Sequence, residues 1–267
     1  MLGALFRVFR LLFVRKRFYR FYKALYSISL RGIGVRNFES DTLSGEQHFI
    51  AQHVSVIQGG VILDVGANIG AYSKLLRSAN SIVRICAFEP HPKTYLKLTR
   101  NLAPLNVETY NVAVGSELGR LHLFDYADED GSSHATLYQD VIESIHKGRS
   151  TKHEVPVVTL DSFVASQGIE KVALLKIDTE GHELEVLHGF LRFIRANRVA
   201  LIQFEFNEMN IVSKASFRDF WELLPCYDFF RMLPDGLVPI EAYNPIHCEI
   251  YGYQNIVAKL KLNAGEG

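Results

Sequence analysis

Val61-Ile62-Leu63-Asp64-Val65-Gly66-Ala67-Asn68-Ile69-Gly70 decides the fold of this chain. Three apolar residues run into an acid, then a Gly-containing turn, then a helical pattern that opens at Ala71-Tyr72-Ser73-Lys74-Leu75-Leu76. A buried parallel strand, a tight turn and a helix start make the first βα unit of an open α/β sheet. The expected architecture is an open α/β sheet. Ligands of such sheets sit where strands end and helices begin, so the turn is a candidate binding site.

Outward from this stretch the same alternation continues. Upstream, Ser44-Gly45-Glu46-Gln47 has capping-box spacing and predicts a helix to about Gln58, closed by Gly59-Gly60. Downstream, strands are expected at Ser81–Phe88, Val107–Val114, Leu121–Phe124, Glu154–Val158, Val172–Ile177 and Arg198–Phe206. Asp228–Leu233, Leu237–Ala242 and Tyr253–Ala258 read as the terminal ones. Pro92 opens a helix, Leu160–Ala165 and Phe217–Leu224 are helical, and Leu184, Leu187, Leu191 and Ile194 have core-facing helical spacing. Glu180 and Glu183 are expected in the first turn of that last helix, where its dipole favours acids. A polar loop from Asp125 to about Ala135, with Ser132, Ser133 and His134, is a weak candidate for a substrate cover.

Four strands finish in acids: Asp64, Glu89, Asp178 and Glu205. In an open α/β sheet these ends share one edge, so the four carboxylates should rim one crevice. Capping of the following helix is the competing use of such acids, and it accounts for one far more easily than for four. A dinucleotide would place its pyrophosphate at the first turn and call for G-x-G-x-x-G. Here the turn reads D-x-G-x-x-x-G, with Asn68 where a second Gly could stand. A carboxylate beside a pyrophosphate costs on the order of several kcal/mol in a poorly solvated site. A cationic ligand suits it instead, and S-adenosylmethionine offers a sulfonium, an ammonium and a ribose diol. Glu89 lies at the roughly 20-residue spacing that serves a ribose, a spacing NAD would share, so the turn does the discriminating.

At these residues the chain resembles the FkbM-type S-adenosylmethionine-dependent methyltransferases, of class I Rossmann-like architecture, which implies an open, mostly parallel sheet of seven strands with helices on both faces. The resemblance rests on VILDVGANIG at 61–70, FEPHP at 88–92, NL at 101–102 and NVAVG at 111–115. It continues in VPVVTLDSF at 155–163, KIDTEGHELEVL at 176–187 and FE at 204–205, and covers about residues 40–258. It implies that Asp64, Gly66, Ala67, Asn68 and Gly70 wrap the methionine part of the cofactor. It also implies that Glu89 holds the ribose, that Asn111 and Val112 flank the adenine, and that Asp178 stands near the transferring methyl. The implied reaction is O-methylation of a sugar, a glycolipid or polysaccharide precursor, or a secondary metabolite. Asp178 is the first candidate to orient or deprotonate the acceptor. His182 is the second, because imidazole titrates near neutral pH, and Glu205 is a helper that could equally serve only to neutralise Lys176. Lys176, basic in an apolar strand, is expected to pair with one of these acids. Asp178, Glu180, His182 and Glu183 form a ligand-rich cluster that magnesium would suit, but their helical faces match only loosely, so no required metal is expected. Val186 stands where H-E-x-x-H needs its second His, which removes a zinc-protease reading. An NAD-dependent oxidoreductase and a catalytically silent binding module at a membrane are the competing functions.

The net charge of zero conceals an asymmetry. Residues 1–40 hold nine Lys or Arg against the single acid Glu39, and the remainder holds 20 basic against 28 acidic residues. An acidic body argues against nucleic acid as a partner. The aromatic, basic residues 1–26 are too interrupted by Arg to span a bilayer, and no cleavage site follows them. They suit either peripheral contact with an anionic membrane, with Arg15 intruding on the apolar face, or packing on the domain or a partner. Their Arg-rich, acid-poor composition is also that of a transit peptide. Cys86, Cys226 and Cys248 are scattered and odd in number, with Cys86 expected in the core, which fits a reducing, cytoplasmic setting. The expected division is an arm at 1–38, a methyltransferase domain at 39–260 and a tail at 261–267.

Overall fold

The computed structural model describes residues 2–79, 82–126, 136–140, 143 and 147–261. The loop carrying Ser132, Ser133 and His134, and the tail beyond Lys261, lie outside the described residues.

The quoted stretch forms β1 (Val61–Val65), and the pattern after it forms α1 (Ala71–Ala79), which buries Tyr72, Ser73 and Leu76 against the sheet. Beside β1 run β2 (Ile85–Phe88) and β3 (Glu108–Tyr110), both parallel. The chain then crosses to the other side of β1. There β7 (Val172–Ile177) and β8 (Val199–Phe206) continue the parallel order, with Asp64 beside Lys176 and Lys176 beside Gln203. The reversal between β1 and β7 is a topological switch point, and it opens a crevice outside the two carboxyl ends. The antiparallel strands β9 (Tyr227–Leu233), β10 (Gly236–Ile240) and β11 (Gln254–Leu260) complete the sheet, in the order β10-β9-β11-β8-β7-β1-β2-β3. It holds eight strands rather than the seven expected, because the hairpin after Leu233 adds β10 as an edge. Pro239 is tolerated there because an edge strand leaves one side unpaired.

Val107–Val114 does not run as one strand. It splits into β3 and β4 (Ala113–Val114), which joins β5 (Gly119–Tyr126) and β6 (Ser150–Val158) in a separate three-stranded sheet. The split falls at Asn111, whose Nδ2 donates to the carbonyls of Glu89 (2.8 Å) and Pro90 (3.0 Å) and so turns the chain out of the main sheet. Helix α2 (Pro92–Leu102) follows β2, with Pro92 in its first turn and His91 Nδ1 accepting from the Lys93 and Thr94 amides.

Two further boundaries differ from expectation. Ser44 does not cap a long helix. Ser40 caps a short turn at Asp41–Ser44, and helix resumes at Glu46–Gln52 and Val54–Ile57. Gly45 interrupts because it sits at φ +90° with its α-carbon pressed against the Leu233 carbonyl, where no side chain fits. The helix after β7 begins only at α3 (Glu183–His188), and Leu191–Arg195 is a separate helix. Glu180 and Gly181 both have positive φ (53° and 103°), so they form a turn ahead of the helix, and Glu180 is not in its first turn.

The N-terminal arm is a helical hairpin rather than one helix. It comprises αA (Leu2–Phe13) and αB (Tyr19–Gly32), with Arg15 in extended conformation between them, away from any helical face. Its root belongs to the body: Leu30 and Val35 are buried, and the Arg36 amide donates to the Tyr253 carbonyl (2.7 Å). The last residues of the arm expected at 1–38 are thus tied to the body. Cys86 and Cys248 are buried and Cys226 is exposed, all as free thiols.

Candidate active site

Three turns converge at the switch point. The turn after β1 is pinned to β2, because the Gly66 and Ala67 amides both donate to the Phe88 carbonyl, and to β7, because the Asp178 amide donates to the Val65 carbonyl. Gly66 is at φ +79°, and a Cβ there would overlap the Asp178 carbonyl, so a bare α-carbon is what lets the β1 and β7 turns touch. Gly70, at φ +88°, similarly abuts the Leu102 side chain. Asn68 holds a left-handed φ of 49°, which Asn tolerates better than most side chains, and this turns its amide toward Glu89.

The Glu89 carboxylate accepts from the Asn68 amide (3.0 Å) and the His91 amide (2.8 Å). Burial pushes its pKa up to about 7 against those two donors. Each oxygen retains a lone pair for a further donor. Glu89 lines a cavity with Gly66, Asn68, Pro90, Val112, Asp178 and His182. Three carboxylates (Glu89, Asp178, Glu180) and no Lys or Arg line it among the described residues. Such a wall repels a pyrophosphate and accepts a cation with hydroxyl donors, so the donor set fits S-adenosylmethionine and not a dinucleotide. Glu89 would take the ribose hydroxyls, with Val112 and Pro90 as apolar contacts for the base.

A second cavity adjoins the first, lined by Arg36, Phe38, Glu205, Asn207, Tyr251 and Tyr253 among others. A third reaches inward to Glu46, Ala67, Tyr72 and Lys176. Asn68 and Asp178 line all three. Asp178 Oδ2 takes a hydrogen bond from Lys176 Nζ at 2.8 Å. Lys176 also lies over the Tyr72 ring, 5.2 Å from its centroid. Burial works against the lysine charge, yet Asp178, Asp64, Glu46 and Glu205 together outweigh it and hold the pKa above its ordinary value. Glu205 goes the other way. Burial, then the nearby Asp178 and Glu180, hold its pKa well above the ordinary range, opposed only in part by Lys176. Lys176 and Asp178 form the ion pair, and the surroundings of Glu205 favour its protonated form.

Three residues read as ligand contacts stand behind the walls instead. Asp64 is wholly buried and lines none of the three cavities; its Oδ2 accepts from Ser73 Oγ (2.6 Å), and its Oδ1 has no partner. Its position on β1 beside Lys176 makes it a support for the charge balance. Gly70 packs on α2, and Asn111 fixes the Glu89-Pro90 backbone. His182 also departs from expectation. Burial lowers its pKa to about 4, so it is neutral at pH 7 and does not titrate there. It lines the first cavity and not the second, with Nδ1 3.1 Å from the Tyr138 hydroxyl.

Sequence reasoning missed Glu183 as the organiser of the turn. Its Oε1 accepts from the Thr179 amide (2.9 Å), the Thr179 hydroxyl (3.0 Å) and the Gly181 amide (3.1 Å), while Oε2 accepts from Asn210 Nδ2 (3.3 Å). A carboxylate committed to four donors is spent on structure. No group of three or more His, Cys, Asp or Glu among the described residues is arranged to hold a metal. Arg36, Phe38 and Tyr253 were missed as well, since they reach the site from the arm root and from the residue just before β11, distant in sequence.

A family model described as the methyltransferase FkbM domain matches residues 64–230, more than half of the chain. The chain belongs to the FkbM methyltransferase family. Among curated relatives of this family, Methyltransferase sdnD of Sordaria araneosa is 33% identical over 154 residues, covering 48% of this chain and 59% of that protein. The 2-O-methyltransferase NoeI of Sinorhizobium fredii is 23% identical, covering 66% of this chain and 76% of that protein. The hexuronic acid methyltransferase AglP of Haloferax volcanii is 27% identical, covering 60% and 63%. The first of these extends well beyond the segment this chain matches. The family match runs from Asp64 into β9 and leaves the arm outside it.

Proposed function

We propose that the protein transfers the methyl group of S-adenosylmethionine to a hydroxyl oxygen of a small-molecule or glycan acceptor. The observation that carries the reading is the shared wall: Asn68 and Asp178 line both the acidic first cavity and the larger second one. A cofactor in the first and an acceptor in the second would meet at Asp178. When bound, the cofactor supplies an electrophilic methyl on a sulfonium, and the protein's task is alignment and the proton. Asp178, held in place by Lys176, accepts the hydrogen bond of the acceptor hydroxyl and then its proton. That proton turns acidic as the oxygen is alkylated, so a carboxylate is a sufficient base. Glu205, on the same wall and in surroundings that favour its protonated form, donates to a neighbouring acceptor oxygen. Phe38, Tyr251 and Tyr253 offer aromatic faces, and Arg36, Asn207 and Glu208 offer polar ends, a lining suited to a polyhydroxylated acceptor such as a sugar. The relatives that act on a 2-O position and on a hexuronic acid support the same class.

The test is calorimetry with S-adenosylmethionine, its demethylated product and NAD, followed by transfer of labelled methyl to a panel of sugars and glycolipid precursors. Asp178→Asn is expected to lower kcat by about 100-fold or more, the usual range for a positioned acid–base group. Binding of NAD alone would overturn the reaction class, and an unimpaired Asp178→Asn would remove that residue's role.

A further inference from the structure

We infer that the αA–αB hairpin docks the protein on an anionic lipid bilayer, lying in its surface rather than crossing it. From Phe6 to Phe13 only Arg7 and Arg10 are polar, three residues apart and so on one narrow face of αA. The rest of that circumference is apolar and open: Phe6, Val8, Leu11 and Leu12 are each more than half exposed. Along αB, Tyr19, Phe21, Tyr26 and Ile28 are exposed by more than 60%. The ring contacts of Phe9 with Phe13 and Tyr22 cover only the inside of the hairpin. A groove on a protein partner covers one side of a helix, whereas acyl chains surround all but its charged edge, and Arg stems can snorkel from there to the headgroups.

Length and charge set the mode. Twelve residues of αA span about 18 Å, against about 30 Å of hydrocarbon, and no helix among the described residues is long and apolar enough to cross a membrane. The arm carries no acid before Glu39, and the first ion pair in chain order among the described residues is Arg31–Glu39. The seven Lys and Arg of residues 1–26 are thus left to face an anionic surface. A second copy of the arm would bring the same charge and be repelled. Because Leu30 and Val35 seat the hairpin on the body and Arg36 and Phe38 line the second cavity, docking holds that cavity beside the lipid. Only this last consequence rests on the proposed reaction.

The full chain is floated with vesicles of phosphatidylcholine alone and of phosphatidylcholine mixed with phosphatidylserine, at low and high salt. Expected is at least about tenfold stronger binding to the anionic vesicles, weakened by salt. Phe6→Ser with Leu12→Ser, and separately Arg17→Glu with Arg20→Glu and Lys23→Glu, should each abolish it with the melting temperature and cofactor affinity unchanged. The docking is overturned by absence of anionic-vesicle binding, by binding that both variants retain, or by a wild-type dimer that the Ser variant converts to monomer. Cofactor affinity, read in the same samples, reports on the methyltransferase assignment separately.

Discussion

Glu89 makes the charge state of the proposed cofactor pocket a function of pH near neutrality. Burial holds its pKa at about 7 in the folded chain, above the ordinary carboxylate value, and burial does the same to Glu183. The folded state therefore binds more protons than the unfolded chain between the two values. The stability that follows is complete below the ordinary value and is lost as pH rises through about 7. Donors such as a ribose diol reverse the preference, since they bind the ionised form. Cofactor affinity is accordingly expected to be about tenfold greater near pH 8 than near pH 6 by calorimetry, following the ionised fraction of one group at about 7. Glu89→Gln should weaken binding by about tenfold or more and flatten that profile. A slope that survives the substitution would assign it to another group. His182 contributes with the opposite sign. Its pKa is depressed to about 4, so the stability tied to its neutral form is lost as pH falls from its ordinary range through 4.

The βα turns show where sequence reading reaches and where it stops. Asp64, Glu89, Asp178 and Glu205 were legible as one edge because strand ends in an open sheet must coincide, and periodicity located the strands. What each acid does was not legible, since role follows from which oxygen meets which donor. Asp64 and Glu183 are committed to the protein, whereas Glu89 and Asp178 face cavities. The turn at Glu180-Gly181 was read as helix because acids suit a helix start; only the left-handed φ values and the Glu183 staple separate the two. Gly66 illustrates the same limit. Its sequence context suggests a ligand-hugging loop, yet its bare α-carbon is occupied by the Asp178 carbonyl. Gly66→Ala should thus act through stability, combining left-handed strain of about 1–2 kcal/mol with overpacking of about 1–3 kcal/mol. Gly119→Ala, on β5 with nothing near its α-carbon, is the neutral control. Thermal melts of the two should differ by several degrees, and equal melting temperatures would refute the packing role.

At the scale of the whole molecule, the arm and the body meet along a boundary that composition does not mark. Basic residues run through Arg36, which places a compositional edge at 38, whereas burial of Leu30 and Val35 argues for an edge near Leu30. Val35 is fully buried, Phe38 stacks edge-on against Tyr253 (5.9 Å), and Gly34 lies at φ +88° against the Met232 carbonyl. Residues 30–38 are therefore a strap across β9 and the segment leading into β11, and they also wall the second cavity. The two possible truncations separate these readings. A chain lacking residues 1–29 loses only the exposed hairpin and should keep its melting temperature and its affinity for S-adenosylmethionine. A chain lacking residues 1–38 uncovers Leu30's and Val35's neighbours and loses roughly 3 kcal/mol of apolar burial, a fall of roughly 10 °C for a domain of this size. It should still bind S-adenosylmethionine, because the residues proposed to hold it all lie beyond the cut, while acceptor turnover drops because Arg36 and Phe38 are gone. Equal melting temperatures and equal turnover for the two truncations would return the boundary to 38 and leave the second cavity without its arm-side wall.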